Sequence, residues 1–110
     1  MRTFLAVAFM VISTVQANAK FLDGNALHNW CFSEDIGDQE ACLGYVIAVA
    51  DVLTSDDRAE LTKYRACIPE VDATQMVKIA KQYLEFHPQA GETTAAELVA
   101  IALSEAFPCP

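Results

Sequence analysis

The sequence predicts an all-α fold, a small disulfide-stapled four-helix domain behind a cleaved signal peptide. Three observations predict it. Apolar residues recur at helical spacing in four stretches, no stretch sustains the two-residue alternation of a strand, and all four cysteines follow the N-terminal leader.

The leader is residues 1–19. Arg2 supplies a short positive region, Phe4 to Ile12 is almost unbroken apolar sequence, and Ser13 to Gln16 is more polar. Ala17-Asn18-Ala19 is a small-x-small cleavage site, so the mature chain is expected to start at Lys20 as residues 20–110. The apolar run is about half of the roughly 20 residues that a spanning helix needs, which argues against a membrane anchor. The residue directly after the cleavage site is Lys20, not a cysteine that could carry a lipid. The expected location is the periplasm or the exterior.

The charge restricts the partners. Arg2 is the leader's one basic residue, so the fifteen acids face six Lys and Arg in the mature part, and the net charge moves from −8 to −9. Such a chain is a poor ligand for nucleic acid or an anionic membrane surface, and its field favours a basic partner.

The first helix is expected after Asp23, a good N-cap, with Leu27, Trp30 and Cys31 at helical spacing. Ser33 to Gly37 is polar, and Asp38 is read as the cap of the second helix. There Cys42, Tyr45, Val46, Val49, Val52 and Leu53 form one apolar stripe. Asp51 lies off that stripe, which places it at the solvent edge. Residues 54–65 break the pattern, although Ala59, Leu61 and Tyr64 are spaced for a helical turn. Val71-Asp72-x-x-Gln75 has the form of a capping box with a staple residue and starts the third helix. Met76, Ile79, Ala80, Tyr83 and Leu84 make its apolar face, with Lys78, Lys81 and Glu85 turned away. Pro88 ends it near His87. Thr94-x-x-Glu97 is a second capping box, and the helix behind it is apolar over much of its girth, as the most buried element should be.

Helix order orders the cysteines. If successive helices run antiparallel, Cys31 at the end of the first meets Cys42 in the first turn of the second, and Cys67 before the third meets Cys109 after the fourth. The other pairings would bridge opposite ends of the bundle, beyond disulfide reach. The preferred pairing is therefore Cys31–Cys42 and Cys67–Cys109; a crossover at residues 54–66 is the arrangement that would overturn it.

Nothing in the chain points to catalysis, a cofactor or a metal. An even cysteine count in an oxidising compartment leaves no thiolate for a Cys–His hydrolase. No C-x-x-C pair exists, and neither His28 nor His87 stands at a finger-like spacing from a cysteine. His28 is placed in the aromatic neighbourhood of Trp30, and His87 at a helix C-terminus that favours a cation. The acid pairs Glu34-Asp35 and Asp56-Asp57 are loop neighbours, which rarely converge across a cleft as a glycosidase requires. G-x-S-x-G, H-E-x-x-H and a phosphate-binding glycine loop are all missing.

Four short segments carry a family resemblance. Phe21-Leu22-Asp23-Gly24-Asn25-Ala26-Leu27 leads to Cys31; Cys42-Leu43-Gly44-Tyr45-Val46 is followed by Asp51; then come Cys67-Ile68-Pro69 and Ala106-Phe107-Pro108-Cys109. In order and spacing they resemble the Rap/Tai family of periplasmic immunity proteins against type VI secreted peptidoglycan amidases. The resemblance spans nearly all of the mature chain. It implies a small helical inhibitor, often homodimeric, that blocks an amidase by protein contact. Ala48 stands where the resemblance leads one to expect a second glycine in helix two, which would loosen a close helix contact. The matching residues are scaffold, so none transfers as a binding residue.

The expected contact surface is the charged 54–66 segment, with Asp56, Asp57, Glu60 and Tyr64 as candidate partner-interface residues, because Tyr and charged groups suit hot spots. The alternative function is an acid-stress chaperone (holdase), whose fifteen acids would neutralise as pH falls and loosen the domain.

Overall fold

A computed structural model describes residues 21–56 and 61–110. The leader, its cleavage site and Asp57 to Glu60 lie outside the described residues. Four α-helices follow one another, α1 (Gly24–Cys31), α2 (Ile36–Thr54), α3 (Ala73–Phe86) and α4 (Ala95–Ala106), with a 3₁₀ turn (Pro88–Ala90) between the last two. Among the described residues there is no strand, only an isolated bridge between Asp23 and Thr94.

Asp23 caps α1 as expected, its carboxylate accepting from the Ala26 N–H at 2.9 Å. For α2 the cap is Asp35 and not Asp38. The Asp35 carboxylate accepts from the Asp38 N–H at 3.1 Å, which starts the helix at Ile36 and puts Cys42 in its second turn. Asp38 instead accepts from the Ser33 hydroxyl at 2.8 Å, and that hydroxyl in turn accepts from the Asp35 N–H. A carboxylate three residues into the helix is thus spent on holding the preceding loop.

Both capping boxes mark a true helix start, yet neither forms the expected side-chain bond. At α3 the carbonyl of Asp72 accepts from the N–H groups of Gln75 and Met76. At α4 the chain before α1 supplies the acceptor, because the Ala95 N–H donates to the Leu22 carbonyl at 2.9 Å. The same strap holds Gly24 N–H to Thr93 O and Asn25 N–H to Gly91 O, both at 2.9 Å. Helix ends need partners for their free N–H groups, and here another backbone satisfies them.

The core is aliphatic. Its largest fully buried side chains are Leu27, Val46, Leu53, Val99 and Leu103, together with Cys42. Helix α4 is the most buried, with Ala95, Leu98, Val99, Ala100, Ala102 and Leu103 all inside. Helix α2 packs on the other three and buries Cys42, Val46, Ala50 and Leu53; Tyr45 and Val49 are half-buried and Val52 is exposed. Asp51 is exposed, as its place off the stripe predicts. Lys78 and Glu85 face solvent, whereas Lys81 lies 4.7 Å from the centroid of the Phe32 ring and is half-buried.

Two disulfides close the domain. Cys31–Cys42 joins α1 to α2, and Cys67–Cys109 joins the chain before α3 to the chain after α4, each with 5.0 Å between Cα atoms. This is the pairing that antiparallel helix order predicts. The Cys67 N–H donates to Phe107 O at 2.8 Å and braces the second bridge. The chain-entropy model credits the two loops with roughly 3 and 4 kcal/mol, comparable with the whole stability of a domain this size.

Two glycines behave oppositely. A Cβ on Gly24 would collide with the Leu98 side chain and come within 3.1 Å of the Ala90 carbonyl, whereas one on Gly44 meets nothing within 4 Å. Gly44 and Ala48 are both exposed, and Gly44 stands at no close helix contact. Gly24→Ala is expected to cost about 1–3 kcal/mol through overpacking. Gly44→Ala should instead add roughly 0.5–1 kcal/mol by helix propensity. Thermal unfolding followed by circular dichroism checks both; equal shifts for the two variants would contradict this packing.

Candidate functional site

Helices α2 and α4 diverge on one side because their facing side chains differ in size. On α2, Tyr45, Val49 and Val52 recur at helical spacing, with Ala48 at the rim. On α4 the opposing residues are Ala96 and Ala100, one turn apart, while the larger Leu98, Val99 and Leu103 turn into the core. The result is an open apolar groove of about 570 Å³, floored by Leu53 and walled by Leu61, Thr62 and Tyr64. That volume lies within the roughly 300–1,000 Å³ usual for binding clefts.

The groove holds few polar groups. The Tyr64 hydroxyl donates to the Glu97 carboxylate at 2.5 Å, joining the end of the 54–66 connection to the first turn of α4. The Tyr64 N–H donates to the Thr62 hydroxyl at 3.1 Å and shapes the turn that presents the ring. Lys63 Nζ lies 5.3 Å from the centroid of that ring. Glu97 holds the Tyr64 hydroxyl above its ordinary range, chiefly because its carboxylate accepts the phenolic proton and would repel a phenolate. Burial raises the Tyr45 hydroxyl, partly offset by a hydrogen bond with the Ala96 backbone.

Of the four candidate interface residues, the structure places Tyr64 in the groove wall, partly exposed, and Asp56 in solvent just beyond α2. Asp57 and Glu60 lie outside the described residues, as does Ala59 of the expected helical turn; Leu61 is helical. Sequence reasoning missed Glu97 as a site residue, because Thr94-x-x-Glu97 reads as a local cap. An available signal was the small pair Ala96 and Ala100 beside an acid on an otherwise apolar helix.

The remaining candidates are structural. All four cysteines are in disulfides. His28 stacks on Phe32, centroids 4.3 Å apart, rather than on Trp30. His87 caps α3, stacks on Tyr83 at 3.9 Å, and donates from Nδ1 to the Tyr83 carbonyl at 2.9 Å. Among the described residues, no three His, Cys, Asp or Glu side chains converge as metal ligands, and no helix is long and apolar enough to cross a membrane.

The groove offers contact chemistry: apolar walls, the phenols of Tyr45 and Tyr64, and one carboxylate. The family described as Rap1a immunity proteins matches residues 23–109, from the α1 cap through the second disulfide. The chain belongs to that family. No curated protein and no solved structure matches it. Rap1a-family immunity proteins are inhibitors that act by binding an effector protein. The two closed disulfides accord with an oxidising compartment.

The Tyr64–Glu97 contact has a pH signature. A raised phenolic pKa means that the fold favours the protonated hydroxyl. Its stabilising effect is whole below the ordinary value of 10.0 and is lost as pH rises through the higher folded value. Ring NMR titration of Tyr64 is expected to show a midpoint above that of free tyrosine, moving down in Glu97→Gln. An unmoved midpoint would show that Glu97 is not the cause.

Proposed function

We propose that this Rap1a-family chain is a periplasmic immunity protein that inhibits a type VI secreted peptidoglycan amidase by covering it. The family match over residues 23–109 carries the reading. The leader-like N-terminus, the stapled fold and the acidic surface support it. Inhibition of this kind needs no catalytic group on the inhibitor, only a surface that binds faster and holds longer than the amidase meets its substrate. A net charge of −9 after the leader raises the encounter rate with a basic face.

The segment with Asp56, Asp57, Glu60 and Tyr64 supplies the contact surface in this reading. Asp56 and Tyr64 stand at the ends of the segment, one exposed and one anchored to α4 through Glu97. A tyrosine fixed by a hydrogen bond loses little entropy on binding and makes a good anchor. The chaperone alternative finds less support: among the described residues no charged side chain is buried, so protonating the acids removes surface repulsion and frees no interior group.

The test is complex formation with a panel of purified type VI secreted peptidoglycan amidases. A stoichiometric complex that abolishes cleavage of peptidoglycan stem peptides is expected, with association slowing as salt rises. A panel of native, active amidases that all ignore this protein would defeat the reading. Replacing Asp56, Asp57, Glu60 and Tyr64 together by Ala is expected to weaken binding by at least about 30-fold, the scale of one hot spot, with a melting temperature no lower than that of Tyr64→Ala alone, which loses its core packing and its bond to Glu97. Unaltered affinity would remove the contact surface from this segment.

A further inference from the structure

The groove between α2 and α4 has no function in the fold. Its walls stay open where the rest of the helix faces close, and two of its apolar side chains, Val52 and Leu61, are 38% and 61% exposed. Glu97 sits in this wall with a neutral hydroxyl as its hydrogen-bond partner. Among the described residues no cation reaches ion-pair distance of it, since Lys63 lies over the Tyr64 ring instead. A half-buried carboxylate beside apolar surface, with no cation paired to it among the described residues, leaves its charge open to a partner's.

We infer that this groove is the specificity pocket of the inhibitor, receiving an apolar side chain of the effector flanked by Arg or Lys, with the cation pairing to Glu97. The inference rests on the inhibitor reading above. Ala96 and Ala100 leave the room, Val49 and Leu53 supply the apolar wall and floor, and Glu97 selects the neighbouring charge. An arginine fits the role because it forms paired hydrogen bonds to a carboxylate, and Tyr64 can keep its own bond to Glu97 meanwhile. A second copy of this chain is the poorer occupant. Each copy carries −9 after the leader, and the groove wall presents the Glu97 carboxylate, so two such faces repel.

Two measurements test this on the disulfide-bonded protein. In the first, the probes are acetyl-Arg-Leu-Arg-amide and acetyl-Glu-Leu-Glu-amide, followed by amide NMR. The cationic peptide is expected to shift Val49, Ala96, Glu97 and Ala100, and the acidic one to leave them still. Equal shifts, none, or shifts elsewhere overturn the inference. In the second, the amidase that binds tightest in the panel above is titrated with Ala48→Trp, which crowds the rim from an exposed position, and with Glu97→Gln. Ala48→Trp is expected to weaken binding at least tenfold with unchanged melting, and Glu97→Gln about fivefold with a flatter salt dependence and a slightly lower melting temperature from its weakened bond to Tyr64.

The outcomes separate the two claims. If the wild-type protein binds that amidase and both variants bind as tightly, the pocket is refuted and the inhibitor reading stands. If every amidase is ignored while the cationic peptide enters the groove, the inhibitor reading falls and the recognition chemistry holds. A wild-type dimer that Ala48→Trp makes monomeric in sedimentation would reassign the groove to self-association and overturn the inference.

Discussion

Two covalent bridges hold together a core that has few large side chains to bury. Leucine and valine fill its centre, alanine occupies much of α4, and no aromatic ring is fully enclosed. Apolar burial alone gives so short a chain little margin over its conformational entropy. Cys31–Cys42 fixes α1 on the start of α2, and Cys67–Cys109 ties the two ends of the α3–α4 hairpin together. The backbone strap from Leu22 to Asn25 onto residues 91–95 then completes the ring of contacts, and Gly24 lets that strap lie against Leu98.

That construction frees the surface for recognition. Because the bridges and the strap hold the helices, α4 can carry small residues where it faces α2 and leave a groove unfilled. The groove and the end of the 54–66 connection meet at one contact, Tyr64 to Glu97, so the candidate anchor residue and the pocket wall are a single rigid unit. Over the mature chain fifteen acids face six Lys and Arg, an excess that favours a partner of opposite sign. A rigid, charged, apolar-lined face with no reactive thiol among the described residues suits an inhibitor, since its binding does not begin with an ordering step.

The fold was largely legible in the sequence. Four helices followed from 3.6-residue periodicity, their ends from Asp23, Asp72, Thr94 and Pro88, and the disulfide pairing from antiparallel helix order. The Asp35 cap was not legible, because Asp35 and Asp38 are both good N-caps three residues apart, and only the loop geometry around Ser33 assigns one to the helix and the other to the loop. The candidate site was legible in part. Tyr64 stood out as an aromatic in a charged segment, but Glu97 was hidden inside a local motif that it does not serve.

Local patterning by itself determined the helix count, the bridges, the acidity and the family resemblance, because each depends on residues near in sequence or on spacing along the chain. Tertiary structure decided what lies between helices that are distant in sequence. Thr94 and Glu97 are three residues apart and read as partners; the fold gives the N-terminus of α4 to Leu22 and the carboxylate of Glu97 to Tyr64, 33 residues away. Hydrogen-bond partners are chosen by proximity in space, and a one-dimensional pattern cannot rank a neighbour along the helix against one delivered by a packed loop.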